Sequence, residues 1–318
     1  MFNSDKSKLL KIDKNGDNSF IWPFFLLIIS QIFFGSNQIM GRLIEGAVPP
    51  IGLSFWRWTI ATLVVLPFTF RYLMLHYGLI FREWRIYLCL AFSLIVLGNT
   101  TIYIALNYTT AINASIVSSV QPAVTFVLSW LLFSESVTKG QLTGAFIATL
   151  GVLYVISRGD LSFLMVLRPN PGDLWMIISV IGFSFYNVLL RKLPPSVPYN
   201  VHLNVIQFLG IILLLPVYLW ETKYVQPMYL DKITISSVLW AGIVVAVAAL
   251  GLWNFANIKL GANKASGTIH LRLIMITIMA IFILGERLQI FHFIAFAIIV
   301  VGIYLISSPR KTKDNYSI

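Results

Sequence analysis

Apolar residues run along this chain in long blocks separated by short polar breaks. Ten blocks approach or reach the roughly 20 residues a helix needs to cross a bilayer. They cover 21–41, 51–70, 86–107, 112–133, 140–157, 172–190, 202–220, 236–257, 264–284 and 288–307. The pattern therefore predicts an all-α integral membrane protein with ten transmembrane helices. Turn chemistry marks several joins. Pro49 and Pro50 precede the second block, Pro169 to Gly172 the sixth, and Pro194, Pro195 and Pro198 the seventh. Proline locks φ and lacks an N–H, so it punctuates helices. Polar segments at 1–19 and 309–318 read as tails at the two ends.

The blocks also repeat. Ser115 matches Ser266, Glu135 matches Glu286, Gly151 matches Gly302 and Ser157 matches Ser308, at a constant spacing of 151 residues. Each copy reads as an apolar helix, a turn carrying a Glu, and a second apolar helix. This predicts a five-helix repeat over 20–158, a connecting loop over 159–171 and a second repeat over 172–308. An odd number of spans per repeat inserts the second copy upside-down relative to the first. Inverted repeats of this kind are a common build of secondary transporters, with the substrate near the midplane.

Composition agrees with the pattern: 58% of the residues are hydrophobic and 11% charged, against about 25% charged in soluble chains. The net charge of +11 fits basic loops against anionic lipid headgroups and is not read as a nucleic-acid surface. Positive charge clusters on the side of the termini. Lys6, Lys8, Lys11, Lys14, Arg71, Arg82, Arg85, Lys139, Arg191, Lys192, Lys259, Lys264, Arg310, Lys311 and Lys313 fall there, against Arg42, Arg158, Arg168, Lys223, Lys232 and Arg287 opposite. By the positive-inside rule both termini are cytoplasmic. Abundant Lys, Asn and Ile suggest an AT-rich bacterial genome, hence a bacterial inner membrane. The single cysteine, Cys89, excludes an internal disulfide. No Cys/His cluster has metal-ligand spacing, and no cofactor is expected.

These features resemble a family. Phe34-Gly35-Ser36-Asn37, Phe55-Trp56-Arg57 after the double proline, Leu132 to Glu135 and Ile283 to Glu286 are similar, in order and spacing, to motifs of the drug/metabolite transporter superfamily, EamA type. The resemblance covers about 20–308. It implies movement of small metabolites, often amino acids, by alternating access, driven by protons, exchange or a gradient. The family often carries Pro within the ninth helix, as Pro122 stands in the fourth here; this chain has Leu273 instead, beside Arg272.

Polar groups inside a membrane are costly and tend to mark function. Arg57 and Arg272 are the basic residues well inside predicted helices, and no acid lies mid-helix. Lys264, Thr268 and Arg272 share a helix face and suit an anionic group; the competing reading has Arg272 bracing backbone carbonyls or a neighbouring helix. Arg57 reads equally as a site residue or as an anchor snorkelling to headgroups. Asn99, Tyr103 and Asn107 recur every four residues. Trp253 and Asn257 do likewise, with Asn254 adjacent. Tyr186 and Asn187, Asn37 and Gln38, and Gln121 complete a candidate chamber walled by Phe34, Phe183, Tyr186 and Trp253. For each Asn the alternative is interhelical glue. Glu135, Glu286 and Pro122 read as gating or structural elements. His270 reads as an interhelical histidine, and it keeps proton coupling open in the absence of a mid-membrane acid. Gly144, Gly151, Ala295 and Gly302 offer a close-packing face to the other half or to a second copy in a homodimer.

Walker, HExxH and nucleophile-elbow motifs are all missing, which sets enzyme readings aside, and no appended domain suggests a scaffold or receptor. The sequence predicts a transporter of a small amino-acid-like solute with an anionic group, an exporter or exchanger. A larger nucleotide-linked or S-adenosyl metabolite is the alternative.

Overall fold

In the computed structural model, the described residues are 18–133, 138–160, 170–260 and 269–307. Their regular structure is all helical, with no strand among them. The helices are α1 (Asn18–Leu43), α2 (Pro50–Arg82), α5 (Lys139–Ile156), α6 (Pro171–Leu189), α7 (Tyr199–Tyr224), α9 (Ile269–Leu284) and α10 (Ile290–Ser307). Three more rods are composite. α3 consists of Trp84–Ala91, a π-helical Phe92–Thr100 and Thr101–Leu106. α4 is Ala111–Ser118 followed by Gln121–Phe133. α8 is Lys232–Leu239, a π-helical Trp240–Ala249 and Leu250–Leu260. Eight of these rods are long and apolar enough to span a bilayer, while α9 and α10 are apolar but shorter over their described lengths. Their outer surface suits hydrocarbon: Phe282 is 84% and Ile290 79% exposed.

Local chemistry accounts for the breaks. Pro122 has no N–H to offer the preceding turn, and α4 restarts with Ala123 N donating to Val120 O. Gly285 takes φ of +67°, which a side chain would resist, and this swings Glu286 back toward α4. Asp231 caps α8 by accepting from Thr234 N at 2.7 Å. That bond holds its carboxyl below the ordinary range. The cap therefore persists above the unfolded-state pKa and fails as pH falls through the lowered value. Asp231→Ala is expected to fray the first turn of α8, visible as faster amide exchange at Thr234 at neutral pH with the rest of the helix unchanged.

Packing pairs the helices in a regular way. α5 lies along α10, α2 along α7, and α4 against α9; α1 meets α9 and α8, as α6 meets α4 and α3; α2 meets α8, as α7 meets α3. Exchanging the first five helices with the last five leaves this set unchanged. The small-residue face is used inside the chain: Gly151 faces Ile299 and Ala295, and Gly302 faces Ala148 and Gly144.

One face of the bundle, away from the start of α1 and the end of α10, is stitched between halves. Glu221 accepts from Ile51 N at 3.1 Å and Gly52 N at 2.7 Å. Glu286 accepts from Ala111 N at 2.7 Å and Ile112 N at 3.0 Å. Thr109 donates to Asp173 at 2.8 Å, Asn170 to Tyr108 O at 2.7 Å and Gln226 to Gly46 O at 3.0 Å. His292 pairs with Asn113 at 2.9 Å.

Candidate functional site

The polar interior is organised on α1. Arg57, from α2, is 4% exposed, so it does not snorkel to a headgroup layer. Its Nη1 donates to Tyr103 Oη at 2.6 Å, and Tyr103 Oη donates to Asn37 Oδ1 at 2.7 Å. The guanidinium also lies over the Trp58 ring at 4.7 Å and the Tyr103 ring at 5.6 Å. Aromatic faces attract cations, more strongly once water is removed. They substitute here for a counter-ion, since Arg57 has no carboxylate partner among the described residues. Its Nε is buried without a hydrogen-bond partner.

Arg272, from α9, reaches the same helix. Its Nε donates to Gln31 Oε1 at 2.9 Å, and its guanidinium lies 4.7 Å from the Phe34 ring centroid. Gln31 is fully buried, and the nearby Gln38 has an Oε1 with no hydrogen-bond partner. Positions 31, 34 and 38 fall on one stripe of α1 by helical spacing. The structure thus holds two clusters on one helix, Arg57 with Tyr103 and Asn37, and Arg272 with Gln31 and Phe34.

Other expected residues take different places. Asn99 donates to Leu94 O at 2.8 Å, and Thr100 to Ile95 O at 2.8 Å; both serve the widened π turn of α3. Asn107 receives Gly46 N at 3.1 Å at the stitched face. The every-fourth-residue row therefore divides into three roles, with Tyr103 alone joined to Arg57. Tyr186 Oη lies 3.3 Å from Tyr199 Oη, while Asn187 is exposed. Gln121 is half-buried, its carbonyl accepting from Ser184 at 3.3 Å, and Pro122 is exposed. Trp253 packs near Leu27 with its Nε1 unpartnered. Thr268 and Glu135 lie outside the described residues, as do the side chains of Asn254, Asn257 and His270.

A cavity of about 500 Å³ opens between α2, α7 and α8, lined by residues including Val65, Thr69, Tyr72, Asn200, Val247 and Gly251. These positions all lie in the half of the bundle away from the stitched face. None of the expected site residues lines this cavity. No cluster of three or more His, Cys, Asp or Glu that could hold a metal occurs among the described residues.

Sequence reasoning passed over Glu221, which falls just past the seventh apolar block. The signal was local. The residue before α2 is Pro49, which offers no side-chain oxygen, so the first N–H groups of that helix needed an acceptor from elsewhere.

The EamA-like transporter family model matches residues 21–157 and 170–308. A protein of Archaeoglobus fulgidus named as an uncharacterized transporter is 26% identical, the match covering 90% of this chain and 97% of that protein. The uncharacterized transporter YyaM of Bacillus subtilis is 25% identical over 93% of this chain and 98% of its own length. A WAT1-related protein of Arabidopsis thaliana is 22% identical over 92% of this chain and 85% of its own. A solved crystal structure, 18% identical, matches with a TM-score of 0.57, covering 91% of this chain and 96% of that one; that likeness concerns the fold alone.

Proposed function

Because this chain belongs to the EamA-like transporter family and is a membrane transporter by that membership, we propose that it carries a small, amino-acid-like organic metabolite with an anionic group by alternating access. The observation that carries this reading is the position of Arg272 against Gln31 and Phe34 of α1. A guanidinium is expensive in hydrocarbon, and here it is held by a buried glutamine and an aromatic face with no ion pair among the described residues. A cationic group beside an aromatic face suits a carboxylate.

Two further observations support alternating access. The helix contacts map onto themselves when halves are exchanged, as expected for ten spans in two inverted five-helix repeats, 20–158 and 172–308. The stitched face is closed, while the cavity lies in the opposite half of the bundle. A cavity in that half fits a state open on the side that the positive-inside rule assigns to the cytoplasm, and we carry forward from the sequence the reading of an exporter or exchanger in a bacterial inner membrane.

Arg272→Gln leaves a donor at about the level of Nε and removes the charge. In proteoliposomes it is expected to reduce uptake of anionic amino-acid-like solutes at least about tenfold, the loss of one charge-assisted hydrogen bond. Unchanged flux of every such solute through a folded variant would mean that Arg272 only braces the bundle.

A further inference from the structure

We propose that His292 makes the stitched face a proton-sensitive gate: the face closes over a neutral imidazole, and acid on that side of the membrane holds it open. The inference rests on the alternating-access reading above and concerns its regulation.

Hydrogen bonds fix the state of the ring. His292 lies in the first turn of α10 and is 6% exposed. Gln289 N donates to its Nδ1 at 2.9 Å. A backbone N–H cannot turn round and accept, so Nδ1 carries no proton. Nε2 then holds the ring's one hydrogen and donates to Asn113 Oδ1 at 2.9 Å. A proton added at Nδ1 would leave two buried donors facing each other, each costly without an acceptor. His202 differs. Its Nε2 lies 3.1 Å from Pro194 O and its Nδ1 2.6 Å from Tyr87 Oη. A carbonyl accepts and a hydroxyl can turn to accept, so an imidazolium there keeps both bonds. His76 Nδ1 likewise faces a carbonyl, Tyr72 O, at 2.8 Å.

The surroundings also disfavour a cation. His292 sits at the start of α10 and bonds to the first turn of α4, so the positive ends of two helix dipoles meet at this ring. Glu286 and Arg287 lie in the preceding turn. From α5, Arg158 and Asp160 flank Gly159, where an added Cβ would fall 3.1 Å from Phe291 Cβ. Ala111–Ser118 of α4 carries no charge, and α9 has His270 and Arg272 near its far end. Asp173 of α6 accepts from Thr109. Glu286 is the group that would favour an imidazolium, but its two oxygens already accept from Ala111 N and Ile112 N, and no ion pair joins it to His292 among the described residues.

Protonation therefore acts on two links between the halves. The bond from Gln289 N ties back the turn that carries Glu286, as a third-position side chain does in a capping box. Losing it loosens the grip of Glu286 on the start of α4, and the Asn113 link crosses at the same place. The sign follows from which form the closed face holds. The neutral ring supports closure fully above the ordinary histidine value of about 6.5, and that support is lost as pH falls below it. Because the closed face rejects the proton, the ring gives it up before closing. His292 thus regulates opening and does not ferry a proton across.

The test reads opening without a substrate. Full-length protein carrying Cys89→Ser and Ala111→Cys, a position that is fully buried, is labelled with a membrane-impermeant maleimide at about pH 8 and about pH 5.5, either side of the ordinary histidine value. Each rate is divided by that of the denatured protein at the same pH, which removes the thiol's own titration. The ratio is expected to rise about tenfold at the lower pH. His292→Gln offers one acceptor and one donor and does not titrate, so its ratio should be the same at both. His202→Gln should keep the rise. A flat ratio with His292 in place, which needs no histidine variant to fold, overturns the proposal, as does a rise that survives His292→Gln. Counterflow of labelled L-amino acids in proteoliposomes at the higher pH tests the transport reading by itself. No flux beside a normal pH response would end that reading and leave the gate standing.

Discussion

Gly302→Leu is expected to be among the most damaging single changes in this chain. A Cβ at 302 would fall 2.6 Å from Ala148 N and 2.6 Å from Gly144 O. Both are backbone atoms of α5, so no side-chain rotamer relieves the contact and the α5–α10 pair must separate. Those two helices form the most extensive pairing in the bundle and join the halves along their length. Overpacking of this kind costs on the order of 3 kcal/mol or more. The check is the unfolding temperature and monodispersity of the purified variant. Gly251→Leu, where an added Cβ meets nothing within 4 Å, serves as the control and is expected to behave like wild type. A Gly302→Leu variant as stable as this control would rule out tight α5–α10 contact.

Glu286→Ala and Glu221→Ala are expected to loosen the stitched face. Each carboxylate satisfies two N–H groups at the start of a helix in the other half, with Glu221 only 3% exposed. Negative charge at a helix N-terminus is favourable, and removing the acceptor strands the donors. Each loss is worth about 1–3 kcal/mol, enough to shift a two-state equilibrium by roughly 5- to 150-fold. Because both links cross between the halves, the effect falls on opening more than on folding. In a Cys89→Ser background, a cysteine at Ala111, which is fully buried, reports on this. A membrane-impermeant maleimide should label Ala111→Cys at least about tenfold faster when Glu286 is replaced by alanine. Equal labelling rates would assign Glu286 to turn geometry alone. The double replacement is expected to favour the state open on this face and to slow exchange, since alternation needs both states to be accessible.

Several elements were legible from residues alone because their causes are local. Pro122 breaks α4 where a missing N–H must break it, and Gly285 makes the turn that places Glu286. The pairing of Gly151 and Gly302 at matched positions anticipated a close helix contact. The π segments were not legible. Phe92–Thr100 and Trp240–Ala249 are apolar nearly all round, so no periodic signal distinguishes a widened turn from a regular one. Widened turns of this kind often lie at functional sites, and here the one in α3 takes Asn99 away from the solute-facing row. Arg57 was ambiguous for a similar reason: a residue two turns into a helix can reach a headgroup or turn inward, and spacing does not choose between them.

The sequence by itself determined that this chain is a membrane-embedded helical protein of repeated pattern, since hydrophobic length and composition suffice for that, and its motifs pointed to the transporter family that the whole-chain match established. The tertiary structure decided which polar side chains meet. Arg57 joins Tyr103 and Asn37, Arg272 joins Gln31, and Glu221 joins the start of α2, 170 residues away in the chain for Ile51 and 169 for Gly52. Such pairings follow from helix rotation and neighbour choice. A helix that is apolar on every side leaves both undetermined until it is packed.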